Sequence, residues 1–349
     1  MLSLASNSCS GSSEGGGPVR RPRPIGSPVL ESVVPVIEQS RHVRTVVDKI
    51  GEVADWMALE DLPVPEFALP FVASEEPKRA IDFILVGGAL DFAFTDFDTA
   101  VIFQVDFAGQ RWSDADAMFA CLRRALDQGV PLLEGGYLSG VTRKDLEGIF
   151  RANIEIPLLD ERVEILRAVG KRLVESYGGH FHNFVAAASP RLYDGGKGLL
   201  EKLIAEFPRF DDVSDYHGHE VKFYKLAQLS LWMLYGTLHR SGAFTLEDLP
   251  KMTAFADYIL PLALRAMRIF RYTPELDDAI ENHREIRRDS EEEIEIRAHT
   301  LYATALLTEE INKRRPSELQ VIIPQIDARL WTHYHKNFRP HHLTRTIMY

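Results

Sequence analysis

Apolar residues recur at helical spacing along most of this chain. Val33, Val36, Ile37, Val43, Val46, Val47, Ile50 and Val53 form a stripe that predicts one helix over 29–59. Pro63, Pro65, Pro70 and Pro77 then interrupt the pattern. Two runs, 81–94 and 100–107, read as strands, and Ala108-Gly109-Gln110 reads as a turn into Arg111-Trp112. This is the only β structure expected, a small antiparallel sheet in the N-terminal half. After Ser113 everything reads as helix. Ser113 suits an N-cap, with Asp114 and Asp116 in the first turn. Thr142 caps 143–150, with Asp145 three residues on. Longer helices fit 160–177, 196–207, 220–240, 258–270, 291–315 and 328–337. The prediction is a mainly α chain, with one helical domain over 29–349. Residues 1–28 are rich in Ser, Gly and Pro and lack the apolar core of a secretory signal. They read as a disordered head.

Composition narrows the function. Of 349 residues, 45% are hydrophobic and 26% charged, as in ordinary globular proteins. The net charge of −11, with a pI near 5.6, repels a phosphate backbone and argues against polymeric nucleic acid as a partner. A local basic pocket for one phosphate stays open. The two cysteines, Cys9 and Cys121, have no zinc-finger spacing and fit a reducing cytoplasm. No apolar run is long enough to span a membrane, so no membrane partner is expected. The oligomeric state is not legible.

A few charges stand among apolar neighbours, where a core demands a partner or a task for them. Asp257 precedes Pro261 by four residues. A proline in a helix interior clashes with the carbonyl at i−4, so the helix should start near Tyr258 with Asp257 at or near its N-cap. Position alone favours a plain cap; the neighbours Phe255, Tyr258 and Leu260 favour a buried, functional one. Lys225 lies on the spacing Val221, Lys225, Leu229, Trp232. It reads equally as a snorkelling lysine or a functional one. Arg297 has Glu293 four residues before it; an ion pair is the simpler reading and a phosphate contact the sharper one. His180 and His182 alternate, but no third metal ligand stands near them in sequence, and no metal or other cofactor is expected. The run His341-His342-Leu343-Thr344-Arg345 reads as a tail or an anion contact. Gly87-Gly88 and Gly135-Gly136 are not phosphate loops.

Several stretches, taken in order, resemble the queuosine salvage family. They are Ser40-Arg41-His42-Val43, Leu90-Asp91-Phe92-Ala93-Phe94, Arg123 to Pro131, and Glu161-Arg162 with Gly170-Lys171. They continue with Glu206-Phe207-Pro208, Phe223-Tyr224-Lys225-Leu226-Ala227-Gln228, Phe255-Ala256-Asp257-Tyr258, Glu295-Ile296-Arg297, Pro340-His341-His342 and Tyr349. The resemblance covers about Ser40 to Tyr349. It departs at Asp91, where relatives carry asparagine, and at Ile259, where some carry arginine. The head at 1–28 has no counterpart.

The resemblance implies hydrolysis of queuosine 5′-monophosphate to queuine and ribose 5-phosphate, and a fold similar to helix-hairpin-helix DNA glycosylases. In those enzymes a carboxylate at a helix N-terminus faces the sugar. It implies Asp257 and Lys225 as the catalytic pair. Asp257 would stabilise an oxocarbenium-like transition state, and Lys225 would hold the 5′-phosphate or a network around Asp257. Phe92 and Trp232 would stack on the base, and Asp91 would accept hydrogen bonds from its guanine-like edge or its secondary amine. Tyr224, Tyr258, Arg297, His342 and Arg345 complete the expected substrate-binding set. The competing reading is a non-catalytic binding protein for a modified base or nucleotide. A glycosylase acting on polymer conflicts with the acidic charge.

Overall fold

The stripe predicted as one helix over 29–59 is two helices around a strand. A computed structural model describes residues 20, 22, 23, 26–67, 76–335 and 340–349. Most of the head expected at 1–28 lies outside these. Helix α1 (Pro28–Gln39) and helix α2 (Val47–Met57) flank β1 (Val43–Thr45). The break has an electrostatic cause. The N–H groups of Arg41, His42 and Val43 all donate to the Glu295 carboxylate, at 2.7–2.9 Å. A buried carboxylate takes the backbone donors that a continuous helix would have used.

The run 81–94, predicted as a strand, falls mostly in helix α3 (Pro77–Gly88). Residues 80–88 are all buried, so the sequence is apolar on every side and carries no period to distinguish helix from strand. The second run yields β2 (Gln104–Phe107), which pairs with β3 (Gln110–Ser113). Ala108 and Gly109 both have positive φ, 52° and 81°, the geometry of a two-residue hairpin turn.

The helices predicted after Ser113 are present, with corrections at their ends. They are α4 (Asp114–Asp127), α5 (Gly135–Gly140), α6 (Arg143–Ile149), α7 (Leu159–Tyr177), α8 (Phe181–Ala186) and α9 (Leu199–Glu206). Thr142 and Asp145 form the expected capping box. Ser113 stands at the N-cap of α4 but makes no side-chain cap bond. The start predicted at 220 belongs to a hairpin, β4 (Val213–Tyr216) with β5 (His219–Lys222). Tyr224 then takes a left-handed conformation, φ 48°, and α10 (Lys225–Leu238) begins after it. There follow α11 (Ile259–Ala266), β6 (Phe270–Tyr272), α12 (Pro274–Glu281), α13 (Glu291–Lys313) and α14 (Ile323–Tyr334). Strand β6 pairs antiparallel with β1. The described residues thus hold three two-stranded antiparallel sheets, two of them using residues read as helical. For β1 and β6 the pairing partner is distant in sequence, which no local pattern reveals, whereas β4 and β5 are joined by a two-residue turn at His217-Gly218.

Residues 293–308 of α13 are buried on every side. This central helix packs against α1, α2, α11 and α14. Its interior carries Glu293, Glu295 and Arg297, and each is tied to a distant segment. Helix α10 packs on α3 at Gly88, where a Cβ would stand 2.0 Å from Ser230 Oγ. The glycine pair at 87–88 is therefore a close helix crossing.

Gly88→Ala is expected to destabilise the fold by about 1–3 kcal/mol through overpacking. A thermal melt reads the loss, and Gly88→Ala/Ser230→Gly should recover part of it. An unchanged melting temperature in the single variant would refute the close crossing.

Candidate active site

The segment 253–260 is pinned at almost every peptide. Thr253 N donates to Gln228 Oε1 at 2.9 Å. Phe255 N donates to Asp327 Oδ2 at 2.7 Å. The Ala256 carbonyl accepts from Arg297 Nε at 3.2 Å. Asp257 Oδ1 then accepts the N–H of Ile259 at 2.8 Å and of Leu260 at 2.9 Å, capping α11, with Pro261 in the first turn. The capping geometry expected from Pro261 is present, and the cap is 7% exposed. Asp257 Oδ2 has no hydrogen-bond partner among the described residues.

Lys225 opens α10 from the other side, also nearly buried. Its N–H donates to Asp212 Oδ2 at 3.4 Å, and Phe223 and Tyr224 donate to the Asp212 carbonyl. Gln228, one turn on, reaches Thr253 and so joins α10 to the segment before Asp257. Val221 lies in β5, so the predicted stripe begins only at Lys225. Lys225, Leu229 and Trp232 share one pocket wall.

A third wall is the loop after α3. Arg162, fully buried in α7, donates to the carbonyls of Leu90, Phe92 and Ala93. Arg209 Nε donates to the Ala89 carbonyl at 2.7 Å. Both guanidinium groups lie over the Phe92 ring, 4.1 and 4.6 Å from its centre. The bonds hold Asp91 on the pocket wall, 5% exposed, its carboxylate without a hydrogen-bond partner among the described residues.

One cleft is lined by Asp91, Lys225, Trp232, Asp257 and Tyr258, together with residues the sequence did not single out for a site: Phe94, Asp114, Asp116, Phe119, Asp327, Trp331 and Tyr349. Five carboxylates face one ammonium. Burial raises the Asp257 carboxyl above its ordinary value, opposed by the Lys225 ammonium and the two N–H groups of α11. Burial, then Asp257, holds Asp327 well above the usual carboxylate range. Burial, then Asp116, pushes Asp114 up to about 7. Asp116, although exposed at the cleft wall, is raised by desolvation and by Asp91, with His335 opposing. Two adjacent carboxylates such as Asp257 and Asp327 resist double ionisation, so the pair retains a proton more readily than either alone.

The remaining predicted residues lie elsewhere. Phe92 is fully buried between its two arginines and does not reach the cleft. Tyr224 supports the start of α10 from outside the cleft. Arg297 keeps its ion-pair reading. It donates to Asp212 through two nitrogens, one at 3.1 Å, and pairs with Glu293 at 3.7 Å. A guanidinium so occupied has no face left for a phosphate. His342 lies in a smaller neighbouring cleft, bonded to Tyr349 Oη at 3.3 Å, with burial pushing its imidazole down to about 3. Arg345 is at the surface, 3.7 Å from Glu285. The internal cationic pocket expected from these groups is instead an acidic cleft with one lysine.

His180 and His182 do meet a third ligand-type residue, Asp82 of α3, which sequence distance concealed. His182 donates to it from N at 2.7 Å and lies 2.8 Å away through Nδ1. A second such group is His42, Glu291 and Glu295. Neither lines the cleft. No helix among the described residues is long and apolar enough to cross a membrane.

The family model described as "Queuosine salvage protein" matches residues 71–349. The chain is 35% identical to a queuosine 5′-phosphate N-glycosylase/hydrolase of Sphaerobacter thermophilus over 325 residues, 92% of this chain and 97% of that protein. It is 27% identical to the protein of the same name from Mus musculus, over 95% of this chain and 100% of that one. The Schizosaccharomyces pombe counterpart is 26% identical over 87% and 90%.

Asp114 makes a prediction about pH. Its folded-state pKa lies above the unfolded value, so its contribution is fully present below about 4 and is lost as pH rises through about 7. Asp114→Asn stays neutral and tolerates the left-handed backbone there, φ 55°. The variant should melt above the wild type at pH 8, by up to about 4 kcal/mol, and match it near pH 4. A gap that does not change with pH would exclude this.

Proposed function

Because this chain belongs to the queuosine salvage protein family, we propose that it hydrolyses the N-glycosidic bond of queuosine 5′-phosphate and releases queuine. The observation that carries the reading is the setting of one carboxylate. Asp257 is fixed at a helix N-terminus through Oδ1, with Oδ2 unengaged, on the wall of a cleft rich in aromatic rings. The helix-hairpin-helix likeness implied by the sequence enters only through that motif.

In the reaction the C1′–N bond breaks and its electron pair leaves with the base. A water oxygen bonds to C1′, and one water proton ends on the departing base. Positive charge builds on the ribose before water arrives. A fixed, buried anion stabilises that charge more than solvent would, because it needs no reorganisation. Asp257 supplies the anion and orients or deprotonates the water. Queuine is a 7-deazaguanine, so carbon replaces the nitrogen that ordinary purines protonate, and the leaving base is helped at another ring atom. Tyr258 and Trp331 offer faces for the base, with the more deeply buried Trp232 behind them on the same wall.

Lys225 acts electrostatically on both Asp257 and Asp327, which supports its role in the Asp257 network over a phosphate contact. It favours one ionised carboxylate beside the sugar. A small nucleotide suits an enclosed acidic cleft better than a polymer does.

Incubation with queuosine 5′-phosphate should yield free queuine by mass spectrometry. Binding without turnover would instead establish a binding protein. Asp257→Asn should keep the fold and substrate affinity, since asparagine also caps helices, and lose at least about 10²–10³ in kcat. Wild-type turnover in that variant would remove Asp257 from the mechanism.

The acidic limb of the kcat/KM profile should lie above 3.8, because burial outweighs the groups that favour the Asp257 anion. Lys225→Met should move that limb up by about one pH unit or more. A stationary limb with lost preference for nucleotide over nucleoside would assign Lys225 to the phosphate.

A further inference from the structure

The five carboxylates of the cleft are not equally compensated. Asp257 and Asp327 have the Lys225 ammonium. Asp91 interacts with Arg162 and Arg209, which hold its loop. Asp114 and Asp116, two residues apart at the start of α4 and partly open to solvent, have other carboxylates beside them, Asp116 next to Asp114 and Asp91 next to Asp116. Among the described residues neither carboxylate has a hydrogen-bond or ion-pair partner; the His335 imidazole, after α14, is the one basic side chain acting on Asp116. Two acids at a cleft wall are not by themselves a site. Two further polar groups in the same cleft point to a ligand. Trp232 Nε1 is a buried donor without an acceptor, on a side chain 1% exposed. Asp91 is a buried acceptor without a donor. Buried groups of this kind are costly unless something binds them.

Resting on the hydrolase reading above, we propose that Asp114 and Asp116 form the subsite for the side arm of the base, binding its secondary ammonium. The substrate of that reading carries a secondary amine on the arm of its 7-deazaguanine, and the protonated amine supplies the cation the cleft lacks. Each carboxylate accepts an N⁺–H hydrogen bond, stronger than a neutral one and directional. Asp114 holds a proton easily in the empty cleft, and the incoming cation favours its release. Guanine itself has no such arm, so the pair selects the modified base against the abundant unmodified one by a charge that only the former carries.

The test measures binding of two free bases by calorimetry: queuine, with the arm, and 7-deazaguanine, without it. Wild type should bind queuine about 10- to 100-fold more tightly. Asp116→Asn and Asp114→Asn should each erase most of that ratio by weakening queuine alone, while 7-deazaguanine binds as before. In turnover, kcat/KM for queuosine 5′-phosphate should fall with the same ratio, and the armless 7-deazaguanosine 5′-phosphate should be unaffected. Equal wild-type affinity for the two bases would overturn the subsite without any variant. So would a full preference retained in a folded Asp114→Asn/Asp116→Asn protein. A wild type that prefers queuine but releases no base from either nucleotide would refute the hydrolase reading and leave the subsite standing.

Discussion

A single buried guanidinium organises the site. Arg297 sits in the middle of α13, 1% exposed, and cannot shed its charge. The surrounding chain therefore folds onto it. Asp212 takes two of its nitrogens, the Ala256 carbonyl takes Nε, and Glu293 pairs with it one turn away. Its plane lies over Phe223 at 3.9 Å and Tyr349 at 4.7 Å. Asp212 in turn gathers the N–H groups of Phe223, Tyr224 and Lys225. The start of α10 and the segment leading to Asp257 thus hang from one side chain. Breaking a pair so deeply buried leaves an uncompensated charge, which is why its partners are held firmly.

The same helix anchors other parts of the chain. Glu295 receives the backbone of residues 41–43 and the hydroxyl of Tyr216, and Glu293 receives that of Tyr349. Of the stretches that carry the family resemblance, 40–43, 223–228, 255–258 and Tyr349 are tied to this helix, through Glu295, through Asp212 and Arg297, through Arg297, and through Glu293, while 90–94 is held by Arg162 and Arg209 instead. Burial demands a specific partner for each polar group so tied.

The cleft uses that rigidity for electrostatics. Its acidic character runs against the expectation of an internal basic pocket. The cations that looked available in sequence, Arg297 and Arg345, are committed to Asp212, Glu293 and Glu285, and burial disfavours the cationic form of His342. What remains is one ammonium among five carboxylates. Such a site favours developing or resident positive charge over negative charge, which suits an oxocarbenium-like sugar.

Much was legible in the sequence. Helical periodicity identified the class, the capping chemistry around Thr142 and Pro261 placed two helix starts, and Asp257 was recognised as a cap among apolar neighbours. Each of these is local, because caps and periods act within a turn or two. The strand within 29–59, the helix at Pro77–Gly88 and the hairpin before Lys225 were not legible. The Glu295 carboxylate, distant in sequence, decides the first and complete burial on all faces the second, whereas the hairpin is a local pairing across His217-Gly218, both at positive φ, masked by the helical spacing that runs back from α10 through Val221. The candidate site divides in the same way. Sequence marked charges in apolar settings but could not say whether each faced the cleft or a partner. Tertiary contacts sent Arg297 to Asp212 and Phe92 between two arginines, and they brought Asp114, Asp116 and Asp327 to the cleft wall. A buried charge states its need locally, but only the folded chain brings the group that answers it.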